Sequence, residues 1–301
     1  MRYSFIIPVY NRPEEVDELL NSLTRQTNKN FEVLIVEDGS SVPCKEVVDN
    51  YADRLDICYY FKSNSGPGQT RNYGAERGHG EYLIILDSDC ILPEGYLAAV
   101  ESELQRQKAD AFGGPDRAHD SFTNIQKAIN YAMTSEVYKA LGGFSKMRFG
   151  EDIDFSIRIF QGGYACRLFP EAWVWHKRRT DLKKFFKQVH NSGIARINLY
   201  KKYPESLKVV HLLPALFTIG IVFLLLCSLV CSWSLSLLLL FALIICVDST
   251  LRNKSFKIGL LSILASFIQL IGYGTGFLRA WWKRCVLGKN EFAAFEKNFY
   301  K

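Results

Sequence analysis

Two carboxylates, Asp87 and Asp89, follow the apolar run Tyr82-Leu83-Ile84-Ile85-Leu86, with Ser88 between them. A short, unbroken apolar run suits a strand buried on both faces of a parallel sheet. Side chains alternate along a strand, so Asp87 and Asp89 share a side and Ser88 faces the other way. If the strand frays at this point, the pairing loosens but the carboxylates remain close. Open α/β sheets bind ligands at the carboxyl ends of their strands. Two hard oxygen donors there suit Mg2+ or Mn2+ held together with a substrate's phosphates. Asp-Ser-Asp is also the composition of an ordinary turn, so the rest of the chain must decide.

The elements that would position this pair can be read along the first 180 residues. An apolar strand over residues 4–10 ends in the turn Asn11-Arg12-Pro13. Pro13 and the acids Glu14 and Glu15 open a helix, and Val16, Leu19, Leu20 and Leu23 give it one apolar stripe. Strands are expected at 31–36 and 57–61, then a Gly66-Pro67-Gly68 loop, a helix over 69–77 and the strand at 82–86. Alternating strands and helices predict an α/β fold with a mainly parallel sheet and right-handed crossovers.

Five motifs carry a resemblance. Ile7-Pro8-Val9-Tyr10-Asn11, Val36-Glu37-Asp38-Gly39-Ser40, Arg71-Asn72-x-Gly74 and Leu86-Asp87-Ser88-Asp89 stand in a fixed order, and Gly142-Gly143-Phe144 with Gly150-Glu151-Asp152-x-Asp154 completes it. In order and spacing, residues 1–200 resemble the family 2 inverting glycosyltransferases of GT-A fold. The resemblance implies a GT-A nucleotide-sugar-binding domain followed by an α-helical membrane region. It implies that Asp38 accepts from the nucleobase of a UDP- or GDP-linked donor, with Pro8, Tyr10 and Asn11 beside it. Arg71 lies by the nucleotide and Asp87 by the ribose. Asp89 and His176 hold Mg2+ or Mn2+, and Glu151 joins the substrate site. Asp152 is the base that takes the acceptor's proton. Asp152 and Glu151 also suit a helix's first turn for purely electrostatic reasons, and His176 suits a packed strand end. Arg178 and Arg179 could meet the diphosphate or a lipid surface.

Three departures qualify the match. Glu37 replaces the commoner Asp of an Asp-Asp pair, changing reach but not charge. Gln188-Val189-His190-Asn191 is not the Gln-x-x-Arg-Trp of processive synthases, which disfavours a polymerising enzyme. Residues 131–134 run straight into Ser135, so a strand that lines the acceptor pocket in relatives is expected to be missing.

The chain has 301 residues, 48% of them hydrophobic, and a net charge of +6. That balance excludes global disorder. Residues 212–247 and 258–278 are nearly free of charge. As one helix, 212–247 would be about 54 Å long, against a hydrocarbon core of about 30 Å. A hairpin broken near Ser232-Trp233-Ser234 is therefore expected. Residues 258–278 form a third span or a re-entrant segment, since Arg279, Lys283 and Arg284 follow them. Ten Lys/Arg between Lys177 and Lys208 face only Asp181 and Glu205, which marks a cytoplasmic, anionic-lipid-facing block; no nucleic-acid-binding motif accompanies it. The eight cysteines form no Cys-x-x-Cys, so neither zinc nor a disulfide framework is expected. No signal peptide is expected.

The expected organisation is a GT-A domain over 1–180, a basic amphipathic helix over 181–208, a membrane region over 212–280 and a basic tail over 281–301. The expected function is inverting, metal-dependent transfer of a sugar to a lipid-linked or cell-surface glycan acceptor. The catalytic domain would be cytoplasmic, anchored in the inner or plasma membrane, with membrane lipids but no nucleic acid as partners. A polyprenyl-phosphate glycosyltransferase and a non-catalytic nucleotide-sugar-binding membrane protein are the alternatives.

Overall fold

The structure is a computed structural model that describes residues 2–117, 130–147, 149–176 and 181–290. The chain divides into two compact units, one running through residue 178 and the other over 179–293.

The first unit begins β1 (Tyr3–Val9), α1 (Pro13–Thr24), β2 (Phe31–Asp38), α2 (Lys45–Asp49), β3 (Ile57–Lys62), α3 (Pro67–Ala75), β4 (Tyr82–Ile85), β5 (Cys90–Ile91) and α4 (Tyr96–Arg106). It continues with β6 (Ala111–Gly114), β7 (Asp116–Arg117), β8 (Asn130–Thr134), α5 (Ser135–Ala140), α6 (Glu151–Gln161), β9 (Cys166–Leu168) and β10 (Val174–His176). Seven strands form one sheet in the order β3-β2-β1-β4-β8-β6-β9. Only β8 runs against its neighbours β4 and β6. A small sheet, β5-β10-β7, stands beside it.

All eight residues of β2 are buried, as a central parallel strand requires. Alternate side chains serve opposite layers. Phe5, Ile7, Val33, Ile35 and Ile84 join Val16, Leu19, Leu97 and Val100 of α1 and α4 in one core. Ile6, Leu34, Leu83 and Ile85 join Ala75, Tyr138, Phe155 and Ile159 of α3, α5 and α6 in the other. The stretch before Ser135, expected to lack a strand, contains β8, whose register Leu83↔Met133 and Phe112↔Ala132 closes the sheet between β4 and β6.

The second unit contains α7 (Leu182–Lys202), α8 (Leu213–Cys227), α9 (Ser236–Asn253) and α10 (Phe256–Trp281). The apolar stretch 212–247 does break, at residues 228–235, between α8 and α9. Three stretches, Val209–Cys227, Trp233–Asn253 and Phe256–Val286, are long and apolar enough to cross a membrane. Phe217, Phe241 and Phe267 join α8, α9 and α10 with ring centroids 5.1–5.8 Å apart. The basic helix α7 packs on α10. A Cβ on Gly193 would lie 2.2 Å from the Tyr273 carbonyl oxygen, and Arg284 donates to Asn198 at 2.5 Å. Both partners' numbers rise together, so the helices run parallel. Gly193→Leu is expected to overpack this contact and destabilise the full-length protein by about 1–3 kcal/mol. Its thermal midpoint in detergent should fall; an unchanged midpoint would mean that α7 and α10 do not approach this closely.

Candidate functional site

The chain leaves β4 through a tight turn. Leu86 N–H still donates to Ile6 O at 3.1 Å, and Cys90 N–H then donates to Asp87 O at 3.2 Å. Buried Ser88 separates two carboxylates with different partners. Asp87, half exposed, accepts from an Arg71 terminal nitrogen at 2.9 Å. Asp89, 13% exposed, accepts from an Arg12 terminal nitrogen at 2.5 Å. Burial works against the charge on Arg12, but Asp89, Glu15 and Asp87 outweigh it and raise its pKa. Arg12 stands just before α1, in the turn where β1 ends.

Arg71 ties three elements together. It projects from α3, lies over the Phe144 ring at 5.2 Å, and reaches Glu151 in the first turn of α6 at 3.4 Å as well as Asp87. Its Nε is enclosed without a hydrogen-bond partner among the described residues. Burial opposes its charge, yet Asp87, Glu151 and Asp152 together hold it firmly protonated. The turn that carries Phe144 is pinned from both sides. Asn72 Oδ1 accepts from Tyr138 Oη at 2.6 Å and Phe144 N–H at 2.7 Å, and its amide donates to Phe144 O at 2.8 Å. Gly143 sits at φ +69°, where a Cβ would meet Asn72 Oδ1 at 2.5 Å. Arg158 of α6 donates to Leu141 O and Gly143 O at 2.6 and 2.7 Å while bonding fully buried Asp154 at 3.0 Å. Asp154 is thus a strut for this turn.

Glu151 is the unusual acid. Burial pushes its pKa up to about 7, with Asp152 and Asp87 adding to the rise and Arg71 opposing it. Its folded form holds a proton that the unfolded form has released between about pH 4.5 and 7. The folded state binds more protons in that window, so stability falls as pH rises through it. At 1.36 kcal/mol per unit the loss reaches about 3 kcal/mol. Glu151→Gln is expected to flatten this decline, read as thermal midpoints at pH 5 and 7.5. An equal decline in both proteins would place its origin elsewhere.

At the other strand ends, the loops after β1 and β2 are stitched together. Asn11 adopts φ 53°. Its Oδ1 accepts from the N–H groups of Ser41 and Val42 at 2.8 and 2.9 Å, and its own N–H donates to Ser40 Oγ at 2.8 Å. Asn tolerates this left-handed backbone better than most residues. Fully buried Glu37 accepts from the Ser40 hydroxyl, from Cys44 N–H at 2.8 Å and from Tyr59 Oη at 3.2 Å. Its extra methylene over Asp serves that internal reach. Asp38 is 1% exposed and accepts from Lys62 Nζ at 2.6 Å and from the N–H groups of Ser65 and Gly66, both at 2.9 Å. Pro8 pairs with Val36, and half-buried Tyr10 follows the strand.

The structure brings Arg71, Asp87 and Glu151 together, with Asp152 close enough to act on two of them. It groups Asp38 instead with Lys62 and the 64–66 loop. His176 is placed by its backbone, which pairs with Cys90, the residue after Asp89. Arg178 and Arg179 lie outside the described residues. Two functional candidates escaped the sequence reading. Arg12 sits 77 positions from Asp89; its only local signal is its place in the turn after β1. Lys62 is in register with Asp38, which a strand extended by one residue would have revealed. Among the described residues no three His, Cys, Asp or Glu side chains converge on a metal position. Asp89 already holds a cationic group, and with Asp87 it offers carboxylate oxygens only. That donor set suits an ion whose remaining ligands are phosphate oxygens and water.

Residues 4–167 match the family described as Glycosyl transferase family 2, and the chain belongs to it. It is 28% identical over 242 residues to glycosyltransferase AglE of Haloferax volcanii, covering 69% of this chain and 79% of that one. It is 37% identical over 93 residues to the poly(ribitol-phosphate) beta-N-acetylglucosaminyltransferase TarS of Staphylococcus aureus, 30% of this chain but only 16% of TarS. In structure it resembles mannosyltransferase PcManGT from Pyrobaculum calidifontis, solved in complex with GDP-Man and Mn2+. The TM-score is 0.71 at 17% identity, over 94% of this chain and 88% of that one. The fold is GT-A, with three C-terminal helices long and apolar enough to span a membrane.

Proposed function

We propose that this chain is a membrane-anchored, inverting glycosyltransferase that moves a sugar from a UDP- or GDP-linked donor to a lipid-linked or cell-surface glycan acceptor. The observation that carries the reading is the Arg71 bridge between Asp87 and Glu151, which sets a buried cation and Asp152 beside the carboxylates that end β4. Support for the donor class comes from PcManGT, bound to GDP-Man and Mn2+, and from TarS, solved with UDP-GlcNAc.

In the proposed reaction the acceptor hydroxyl oxygen attacks the anomeric carbon from the face opposite the diphosphate. Asp152 takes the hydroxyl proton as the new C–O bond forms. The old C–O bond breaks, and its electron pair leaves on the diphosphate. Arg71 supplies fixed positive charge toward the leaving group, in a site too buried for water to screen it fully. Arg12 orients Asp89 through their ion pair. Mg2+ or Mn2+, held by Asp89 and His176 with Asp87 nearby, would add Lewis-acid stabilisation of the leaving diphosphate. Asp38 and Lys62 fix the 64–66 loop, and Asn11 fixes the 40–42 loop. These loops, with Pro8 and Tyr10, form the proposed nucleotide end. Arg178 and Arg179 are kept as diphosphate or lipid contacts.

The exposed apolar side chains of α8 and α9, among them Leu216, Phe223, Leu226, Leu240 and Ile244, support placing these helices in lipid. The catalytic unit would then face the cytoplasm, where the basic block lies. Full-length protein in detergent should release nucleoside diphosphate from one donor class in a panel of UDP- and GDP-sugars, faster when membrane extract supplies acceptor. No release from any donor would defeat the proposal.

A further inference from the structure

A cavity of about 210 Å3 lies within the second unit, lined by Arg196 of α7, His211 and Pro214 at the entry to α8, and Gln269 and Tyr273 of α10. Its polar groups are unusual for a bundle of apolar helices. Arg196 Nε is shielded from solvent and has no hydrogen-bond partner among the described residues, while the Arg196 guanidinium acts on the enclosed Tyr273 hydroxyl by charge and by hydrogen bonding, which leaves the hydroxyl's own proton to donate. Gln269 is exposed on the surface of α10 and makes no hydrogen bond among the described residues. His211 Nδ1 accepts from Lys208 N–H at 3.0 Å, which leaves Nε2 as the proton-bearing, donating nitrogen. No carboxylate lines the cavity. A guanidinium with an enclosed Nε and no acceptor beside it is costly unless an anion satisfies it.

We propose that this cavity binds the phosphate of an anionic membrane lipid. Arg196 supplies the charge, Tyr273, His211 and Gln269 supply neutral donors, and the hydrocarbon chains lie along the exposed Leu213 and Leu216 of α8. Basic pockets between membrane helices, next to a cytoplasmic cationic stretch, suit lipid head groups. The inference rests on the membrane placement of α8 and α10 but not on the transfer reaction.

The test uses the full-length protein in neutral detergent. Dioleoylphosphatidic acid, inorganic phosphate and dioleoylglycerol are each titrated while the thermal unfolding midpoint is followed. Phosphatidic acid should raise the midpoint in the wild type, and the other two should not. Arg196→Gln should weaken the apparent affinity at least tenfold, Tyr273→Phe and Gln269→Leu less, and the exposed control Lys201→Gln not at all. If Arg196→Gln fails to fold, Tyr273→Phe and Gln269→Leu carry the comparison. An equal response in the wild type and the cavity variants would overturn the proposal, as would inorganic phosphate matching the lipid. Protein that stays monodisperse without detergent would overturn the membrane placement itself, an outcome separate from failure of the cavity to bind lipid.

Discussion

Asp152→Asn is expected to lower turnover by roughly 10²–10⁴-fold, the usual worth of a positioned base, while leaving donor binding in place. The substitution keeps the side chain's shape and its place in the first turn of α6, and it removes the group that takes the acceptor's proton. Glu151→Gln should cost less. Glu151 faces inward to Arg71 and is 9% exposed, whereas Asp152 is half buried, so only the latter has a surface to offer an acceptor. The comparison is made with labelled donor and membrane extract, and donor affinity is measured separately by calorimetry. Equal transfer by wild type and Asp152→Asn would remove Asp152 from the mechanism. Loss of donor binding in the variant would show that Asp152 holds the nucleotide sugar instead.

Asp89→Ala should abolish the part of nucleoside diphosphate affinity that depends on Mn2+ while the protein stays folded. Asp89 lies in the turn after β4, outside the strand itself. Its one described ion pair is with Arg12 at 2.5 Å. Removing the acid leaves Arg12 as a partly buried cation without that partner, so some affinity for the diphosphate should persist without metal. Calorimetry with and without Mn2+ separates the two contributions. An unchanged metal dependence in Asp89→Ala would move the metal site away from this turn.

Much of this arrangement was legible because it is local. The apolar run 82–86 and the carboxylates after it, the Pro13 helix start, and the break between α8 and α9 all follow from neighbouring residues. Other features depend on partners far apart in sequence. Asp38 is one case: Lys62, Asn64, Ser65 and Gly66, 24 to 28 positions on, close around it. Asn72, beside Arg71, pins Phe144, 72 positions on. Strands β6 and β9 span four and three residues, too short for alternation to reveal. They exist because β8 and β6 offer them ladder partners. The expected missing strand before Ser135 shows the same limit, since β8 is recognisable only once β4 and β6 are seen on either side. The α7 helix reads as a membrane-surface element from its charge, whereas Gly193 and its neighbours give it a buried face against α10.

The central claim is a single displacement driven from Asp152, and the anomeric configuration of the transferred sugar tests it most directly. The product formed by full-length wild type from an α-linked nucleotide sugar is to be characterised by its NMR one-bond C–H coupling at the anomeric carbon. A β-linked product is predicted, because one attack opposite the diphosphate inverts the centre once. An α-linked product would contradict the account, since it requires either a second displacement or attack from the donor's own face.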